Sequence, residues 1–429
     1  MRAVQPPAGA FDGEPGVLRF ITAGSVDDGK STLIGRLLFD SKGLLRDQVA
    51  ALTTARGAQS ALQDGDIDLA LVTDGLESER EQGITIDVAY RYFATPRRSF
   101  VIADAPGHEQ YTRNMVTAAS NAEVAIILID ASRLAGKGLK AQTRRHATIA
   151  ALMGLKVIVA VNKMDLTGWS RAVFEEIREN FERVARTLAI ADPVYVPLAA
   201  KHGDNVAARS PHTPWYEGPP LLEILETIEA ARGVSAAFRL PVQRVLRMAN
   251  GARAYAGRVE SGVVKPGDEV VAMPSGQSAV VESIRTYDGS RADAAEGQSV
   301  SIVLDRDLDL GRGDTLTSPD AQAVKSVTAD LCWLDEAPWE KGRRYLLRQA
   351  TRTTQALIES IVFVREMTEL AEVSEASGLK LNDIASVRIK TRDAILGDLY
   401  GARPATGAFV LIDPVSNQTA AAGMIREAA

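Results

Sequence analysis

Two hydropathy patterns divide this chain. In the N-terminal half, unbroken apolar runs such as GVLRFITAG, EVAIILIDA, LKVIVAVNKMD and PVYVPLAA alternate with stretches of helical spacing, RAVFEEIRENFERVARTL most clearly. An unbroken run bounded by turn residues reads as a strand covered on both faces; helical spacing reads as a helix with one buried side. Together they predict an α/β domain whose mostly parallel sheet carries helices on both faces. ITIDVAYRYFAT and RRSFVIADAPG read as two further strands joined by a Pro-Arg-Arg turn, and LIGRLL belongs to a helix from about Ser31 to Leu38. RSPHTPWYEGPPLLEILETI leads into a last helix that ends near Arg232-Gly233.

From about Arg239 the pattern changes. PVQRVL, AYAGRVESGVVKPGDEVVAM, SAVVESIRTYDG and SVSIVL are short, β-rich and punctuated by glycine turns, as in a small barrel or sandwich. A second β-rich block begins near Val324 with SVTADLCWL, RRYLLRQATRTTQALIESIVFV, DIASVRIKT and GAFVLIDPVSNQTAAAGMI. The expected organisation is a flexible tail over 1–16, the α/β domain over 17–235, and β-barrel domains over 236–323 and 324–429.

Composition narrows the class. Hydrophobic residues make up 46% and charged residues 24% of 429 positions, enough to build several cores. Cys332 is the one cysteine, which excludes a disulfide framework and a cysteine zinc site and suits a small buried side chain before Trp333. A net charge of −6 argues against a protein that coats nucleic acid by electrostatics. MRAVQPPAGAFDGEPG lacks the apolar core of a signal peptide, and the strongest apolar runs are too short to span a bilayer. A cytoplasmic location with no membrane partner is therefore expected.

Candidate chemistry begins at Gly24-Ser25-Val26-Asp27-Asp28-Gly29-Lys30-Ser31-Thr32, which fits G-x-x-x-x-G-K-[ST] between a strand and a helix. In that setting glycines let backbone N–H groups turn inward, and the helix start adds positive dipole. Lys30 reaches the terminal phosphates of a nucleoside triphosphate and Ser31 ligates Mg²⁺. Asn162-Lys163-Met164-Asp165, at the end of a buried strand, selects the base. The Asp165 carboxylate accepts from the ring N–H and the exocyclic amine of guanine, where adenine would present an acceptor. Two charge-assisted hydrogen bonds at about 1.5–3 kcal/mol each give roughly 10²- to 10⁴-fold discrimination. Asn162 braces the loop and Lys163 lies along the base.

Between these motifs stands Asp104-Ala105-Pro106-Gly107-His108. Asp104 is placed to hold Mg²⁺ through a water, the Gly107 N–H to sense the γ-phosphate, and His108 to orient the attacking water. Thr85, after a glycine-containing loop, offers a hydroxyl to Mg²⁺ when that phosphate is present. The backbone of Ala199-Ala200-Lys201 is the expected contact for the guanine carbonyl oxygen. His146, His202 and His212 match no motif and are expected to be structural; Arg80 and Arg113 are expected to be surface or paired residues, so no arginine finger is assigned. The predicted ligands are GTP and Mg²⁺.

In this order, with two β-rich blocks behind them, these motifs resemble the translation-factor class of GTPases, elongation factor Tu and its relatives. The phosphate loop of that class reads G-H-V-D-H-G-K, whereas Ser25 and Asp28 stand here at the histidine positions. GSVDDGKSTLIGRLLFDSK, TDGLESEREQGITIDVAYRYF and DAPGHEQYTRNM are similar to the GTPase subunit of bacterial sulfate adenylyltransferase. That resemblance covers essentially the whole chain, most specifically residues 18–207. It implies a heteromer in which a small catalytic subunit joins ATP and sulfate into adenosine 5′-phosphosulfate, releasing pyrophosphate. The present chain would hydrolyse GTP to drive that uphill step.

Adenylyl transfer is not expected here, since the four histidines form no H-x-G-H motif. With no second phosphate loop before Ala429, a fused adenylylsulfate kinase is not expected either. One departure is Ala199, where the class carries Ser; the lost hydroxyl is expected to loosen that loop and lower guanine affinity without changing specificity. A competing reading is a translation elongation factor that delivers aminoacyl-tRNA. Ser25, Asp28 and the long insert before Thr85 stand against it. A stand-alone regulatory GTPase is a third, and it predicts no heteromeric complex.

Overall fold

A computed structural model describes residues 16–41, 87–134, 136, 138–229, 237–249, 251–374 and 376–428. The chain separates into two compact units, residues 1–231 with 367–370, and the remainder.

In the first unit a sheet of six strands runs in the order β2-β3-β1-β4-β5-β6. The strands are β1 Leu18–Ala23, β2 Ala89–Ala94, β3 Ser99–Asp104, β4 Val124–Asp130, β5 Lys156–Asn162 and β6 Val194–Pro197. All neighbours are parallel except β2, which returns antiparallel to β3 through the Pro-Arg-Arg turn. The unbroken apolar runs have their physical cause here. β4 is buried at every position and β5 at all but its first residue, because helices cover both faces.

Five helices of this unit matter below: α1 Lys30–Asp40, α2 Thr112–Ser120, α3 Ala141–Leu152, α4 Arg171–Thr187 and α5 Leu221–Thr227. Leu33, Ile34 and Leu37 of α1 and Leu221 and Leu225 of α5 share one core with Phe20, Phe100 and Ile102 of the sheet. Phe93 stacks on Phe100 at 4.6 Å, and Phe20 meets both rings edge-on. α1 runs beyond its predicted ends, starting directly after the left-handed Gly29 and closing where the Ser41 hydroxyl donates to the Leu37 carbonyl. α5 stops at Thr227, earlier than predicted. There the Arg98 guanidinium takes the carbonyls of Leu225 and Ile228 (3.2 and 2.6 Å) and supplies donors the helix would otherwise have continued to provide. The predicted stop at Arg232-Gly233, like the start of the ITI strand, lies outside the described residues.

This topology places the carboxyl ends of β1, β3, β4, β5 and β6 along one edge. Strand order reverses at β1, flanked by β3 and β4. In open α/β sheets, ligands bind at such an edge and such a switch point.

The second unit contains two antiparallel sheets of seven strands. The first is built from β7 Arg239–Arg247, β8 Arg253–Arg258, β10 Glu269–Met273, β11 Gln277–Thr286, β12 Gly289–Arg291, β14 Ser299–Leu304 and β15 Thr315–Thr317; β9 Val263–Val264 and β13 Ala294–Ala295 form a separate ribbon. β7 pairs with β15 over Arg239–Pro241 and with β8 from Val242 onward, the latter pairing being interrupted by a bulge between Val242 and Arg244. The second sheet comprises β16 Ala323–Trp333, β17 Arg344–Gln349, β18 Arg352–Arg365, β19 Glu372–Val373, β20 Ile384–Leu396, β21 Ala408–Ile412 and β22 Thr419–Ala428. There β17 pairs with both β18 and β21. The two β-rich blocks predicted from the sequence are thus present as antiparallel sheets, each with its own core. Cys332 is buried in the second, as expected.

The two sheets are tied by a buried charge. The Arg239 side chain is 0% exposed, and its guanidinium donates to both oxygens of Asp398 (2.9 and 3.0 Å), to both of Asp320 (3.1 and 3.2 Å) and to the Phe238 carbonyl. Arg403 bonds the same two carboxylates at 3.0 Å each, and the Thr406 hydroxyl donates to Asp398.

Candidate nucleotide-binding site

Four of the predicted stretches meet at the carboxyl edge of the first sheet: 24–32 after β1, 104–108 after β3, 162–165 after β5 and 199–201 after β6. Asn162 is their joint. Its Nδ2 donates to the Asp28 carbonyl (2.8 Å) and its Oδ1 accepts from the Ala200 N–H (3.0 Å), so one buried amide spans the first and last stretches. The loop passes so close that a Cβ on Gly29, whose φ is +94°, would collide with this amide. Glycine is required there on both counts.

Lys30, buried at the start of α1, donates from Nζ to the carbonyls of Gly24 and Ser25, both at 3.0 Å. Burial pushes its ammonium below the ordinary lysine range; the carboxylates of Asp104, Asp28 and Asp27 work against that and keep a cation in the loop. Asp104 is held from β1 by the Thr22 hydroxyl at 3.2 Å. A Cβ on Gly107 would lie against Lys30 Nζ and the Gly24 carbonyl, so the stretch after β3 touches the phosphate loop through bare backbone. Ala105 and Pro106 are buried beside it. The Ser25 hydroxyl is buried and, among the described residues, has no partner, while Val26, Ser31 and Thr32 are half-buried around the same turn. A buried ammonium and an unsatisfied hydroxyl in a turn that opens a helix suit phosphate oxygens.

The stretch after β5 is held as closely. Lys163 takes the left-handed conformation (φ +61°) and its Nζ donates to the Asp27 carbonyl (2.5 Å) and to Asp130 Oδ2 (2.8 Å). Its stem therefore spans the loop. Met164 is buried and its N–H donates to the Leu198 carbonyl, fixing the turn that presents Asp165. Asp165 is part-exposed, with His202 Nε2 3.7 Å from its Oδ2. The Ala199 carbonyl accepts from the N–H groups of His202 and Gly203 (3.1 and 2.9 Å), and Arg36 of α1 donates to the carbonyls of Ala200 and Lys201. These bonds tie the 199–201 turn without the serine hydroxyl.

His108 is half-buried, accepts the Gln110 N–H at Nδ1 (3.3 Å) and meets Tyr111 edge-on. With Nδ1 an acceptor, the proton of the neutral ring sits on Nε2, which is then a donor. Thr85 and Arg80 lie outside the described residues. No group of three or more His, Cys, Asp or Glu among the described residues could by itself hold a metal. Mg²⁺ here would rest on hydroxyls and the phosphates it accompanies, which fits Ser31 at the first turn of α1. No helix among the described residues is long and apolar enough to cross a membrane.

Sequence reasoning missed three contributors. Asp130, at the end of EVAIILIDA, is almost fully buried. Burial acts to raise its pKa, but hydrogen bonds from Lys163 and Ser132 outweigh that and hold it below the ordinary carboxylate value. An acidic residue closing an apolar strand beside the phosphate loop was the available signal. Lys140, bonded to Asp28, and Arg36, bonded to the last loop, carried none, since both contacts are purely tertiary.

A doubly wound sheet with a phosphate loop at its switch point and an N-K-M-D turn at the next edge defines a P-loop GTPase. The family model of the elongation factor Tu GTP binding domain matches residues 16–237, more than half of the chain; elongation factor Tu domain 2 matches 254–317, and the GTP-eEF1A C-terminal domain-like model matches 326–426. The chain is 48% identical over 418 residues to sulfate adenylyltransferase subunit 1 of Shewanella oneidensis, covering 96% of this chain and 85% of that protein. It is 48% identical to the same subunit of Teredinibacter turnerae, of which it covers 88%. The chain belongs to the sulfate adenylyltransferase subunit 1 family. It is also 48% identical to the bifunctional enzyme NodQ of Rhizobium sp. strain N33, but spans only 63% of that longer protein.

Proposed function

We propose that this chain binds and hydrolyses GTP and, with a small catalytic subunit, uses that hydrolysis to drive synthesis of adenosine 5′-phosphosulfate from ATP and sulfate. The observation that carries the reading is the likeness to sulfate adenylyltransferase subunit 1 across 96% of the chain. The likeness to NodQ, a bifunctional enzyme, supports a partnership with a second catalytic centre. A cytoplasmic location, where ATP and GTP are at hand, belongs to the same reading.

In this reading the loop 24–32 receives the phosphates, with Lys30 leaving the Gly24 and Ser25 carbonyls for the β- and γ-oxygens. Mg²⁺, held by Ser31, by Asp104 through water and by Thr85, would supply charge neutralisation of the triphosphate. Asp165 reads guanine, Asn162 locks the base loop to the phosphate loop, and Ala199-Ala200-Lys201 face the guanine carbonyl. His108 donates from Nε2 to orient the attacking water. The Gly107 N–H registers the γ-phosphate, and its loss releases the stretch after β3. GTPases without their activator turn over at roughly 10⁻⁴ s⁻¹ and activators supply up to about 10⁵, or ~7 kcal/mol of barrier. Coupling requires that this acceleration arrive only with the loaded partner.

The three matching families, over 16–237, 254–317 and 326–426, support a division into 17–235, 236–323 and 324–429, and the ring-like pairing of β10 with both β11 and β15 supports reading the first β-rich block as a barrel. The deciding experiment is coexpression with the small subunit and measurement of pyrophosphate release from ATP and sulfate. Release should rise sharply on addition of GTP. Equal release without GTP would refute the coupling.

A further inference from the structure

The phosphate loop contains a buried acid. Asp28 is 2% exposed and sits in a loop that, on the reading above, receives a polyanion. Its side chain cannot swing clear without cost, because Oδ2 accepts the Ser25 N–H at 2.7 Å while the Asp28 N–H donates to the Ser25 carbonyl at 3.3 Å. The carboxylate thus closes the loop's first turn, and Asn162 grips the same residue's carbonyl. An unneutralised carboxylate there would repel the triphosphate and draw Lys30 away from it.

We propose that Lys140 is a positioning residue for the nucleotide: it neutralises Asp28, so that Lys30 is left for the phosphates and the loop keeps its shape at no electrostatic penalty to the ligand. Lys140 Nζ lies 3.2 Å from Asp28 Oδ1. It is presented from the residue just before α3, and its carbonyl accepts the Arg144 N–H, so the helix start fixes where the ammonium stands. The other charges around the loop are already engaged. Arg133 pairs with Asp27 and Asp130, Lys163 pairs with Asp130, and Lys30 bonds the loop carbonyls. Burial leaves the Asp28 carboxyl above the ordinary carboxylate value, and among the groups that work against it Lys140 is the largest influence.

This role rests on the GTP reading, so the test separates the two. The full-length chain and its Lys140→Met, Lys140→Arg, Asp28→Asn and Asp28→Asn/Lys140→Met variants would be titrated with GTP and GDP by calorimetry, with thermal unfolding of each in parallel. Lys140→Met should weaken GTP on the order of tenfold and GDP less, since the repulsion scales with ligand charge. Lys140→Arg should stay near wild type, and the double variant should recover most of the loss. Unchanged GTP affinity in Lys140→Met overturns the role, and so does a double variant as weak as the single one. Should Lys140→Met fail to fold, the double variant decides alone: folded with near-normal affinity it supports the role, folded and weak it does not. Failure of the wild-type chain to bind either nucleotide would instead remove the GTP reading and this role with it.

Discussion

The carboxyl edge of the first sheet and the Arg239 knot of the second unit are made from the same materials, buried Arg or Lys against Asp, and are finished differently. Around Arg239 the guanidinium is enclosed by two carboxylates, a second arginine, a hydroxyl and a carbonyl. At the sheet edge, among the described residues, Lys30 hydrogen-bonds to carbonyls alone, Ser25 keeps a buried hydroxyl without a partner, and Asp165 is part-exposed. A saturated cluster has nothing left to offer a ligand and acts as a fastener. An unsaturated one stores interactions for a molecule that has yet to arrive.

Four substitutions would break or sharpen that contrast. The largest effect is expected from Arg239→Met, which takes four hydrogen bonds from Asp398 and Asp320 and leaves Arg403 as the one arginine bonding both; breaking a buried pair costs up to about 3–5 kcal/mol. The second unit should unfold at a markedly lower denaturant concentration while nucleotide affinity stays as in wild type, and a matching loss of affinity would deny the separation of roles. Asp165→Asn should reverse the profile. GTP affinity should drop about 10²-fold or more with stability nearly unchanged, and xanthine nucleotides should regain it because their ring presents the complementary hydrogen-bonding edge. Retained GTP preference would end the base assignment. His108→Ala should slow single-turnover hydrolysis about 10²-fold with GTP affinity within a factor of a few; equal losses in both would make His108 a binding group.

The smallest effect at neutral pH concerns His146, buried in α3 with its pKa pushed down to about 3 by burial first and then by the positive charges of Lys30 and Arg145. The unfolded chain binds this proton below about pH 6.5, the folded chain only near 3. Stability is therefore intact above about 6.5 and falls toward 3 by at most ~1.4 kcal/mol per pH unit. His146→Gln should flatten that acid limb in an unfolding titration, and an identical limb in the variant would show that other groups set it.

Much of the site was legible because its chemistry is local. A phosphate loop needs glycines at fixed offsets between a strand and a helix, and a guanine reader needs an acid at the end of a buried strand, so both appear as short words. The sheet was legible for the same reason: β4 and β5 are apolar at nearly every position because both faces are covered. What escaped was assembled across the fold. Lys140 and Asp28 are 112 positions apart, and Arg36 reaches the last loop from 164 positions away. No spacing rule connects them. The early end of α5 was hidden likewise, since it depends on Arg98 arriving from the β2–β3 hairpin. His202, expected to be structural, stands at ion-pair distance from Asp165 for a comparable reason: the turn after β6 delivers it there.

The single amide of Asn162 has a mechanical corollary. Because the same planar group grips the floor beneath one end of a ligand and the wall beside the other, the two ends cannot be sensed independently. Guanosine and free inorganic triphosphate should each bind far more weakly than their joined form, by a margin greater than tethering alone supplies, and severing this one clasp with Asn162→Ala should return the two fragments to indifference toward each other.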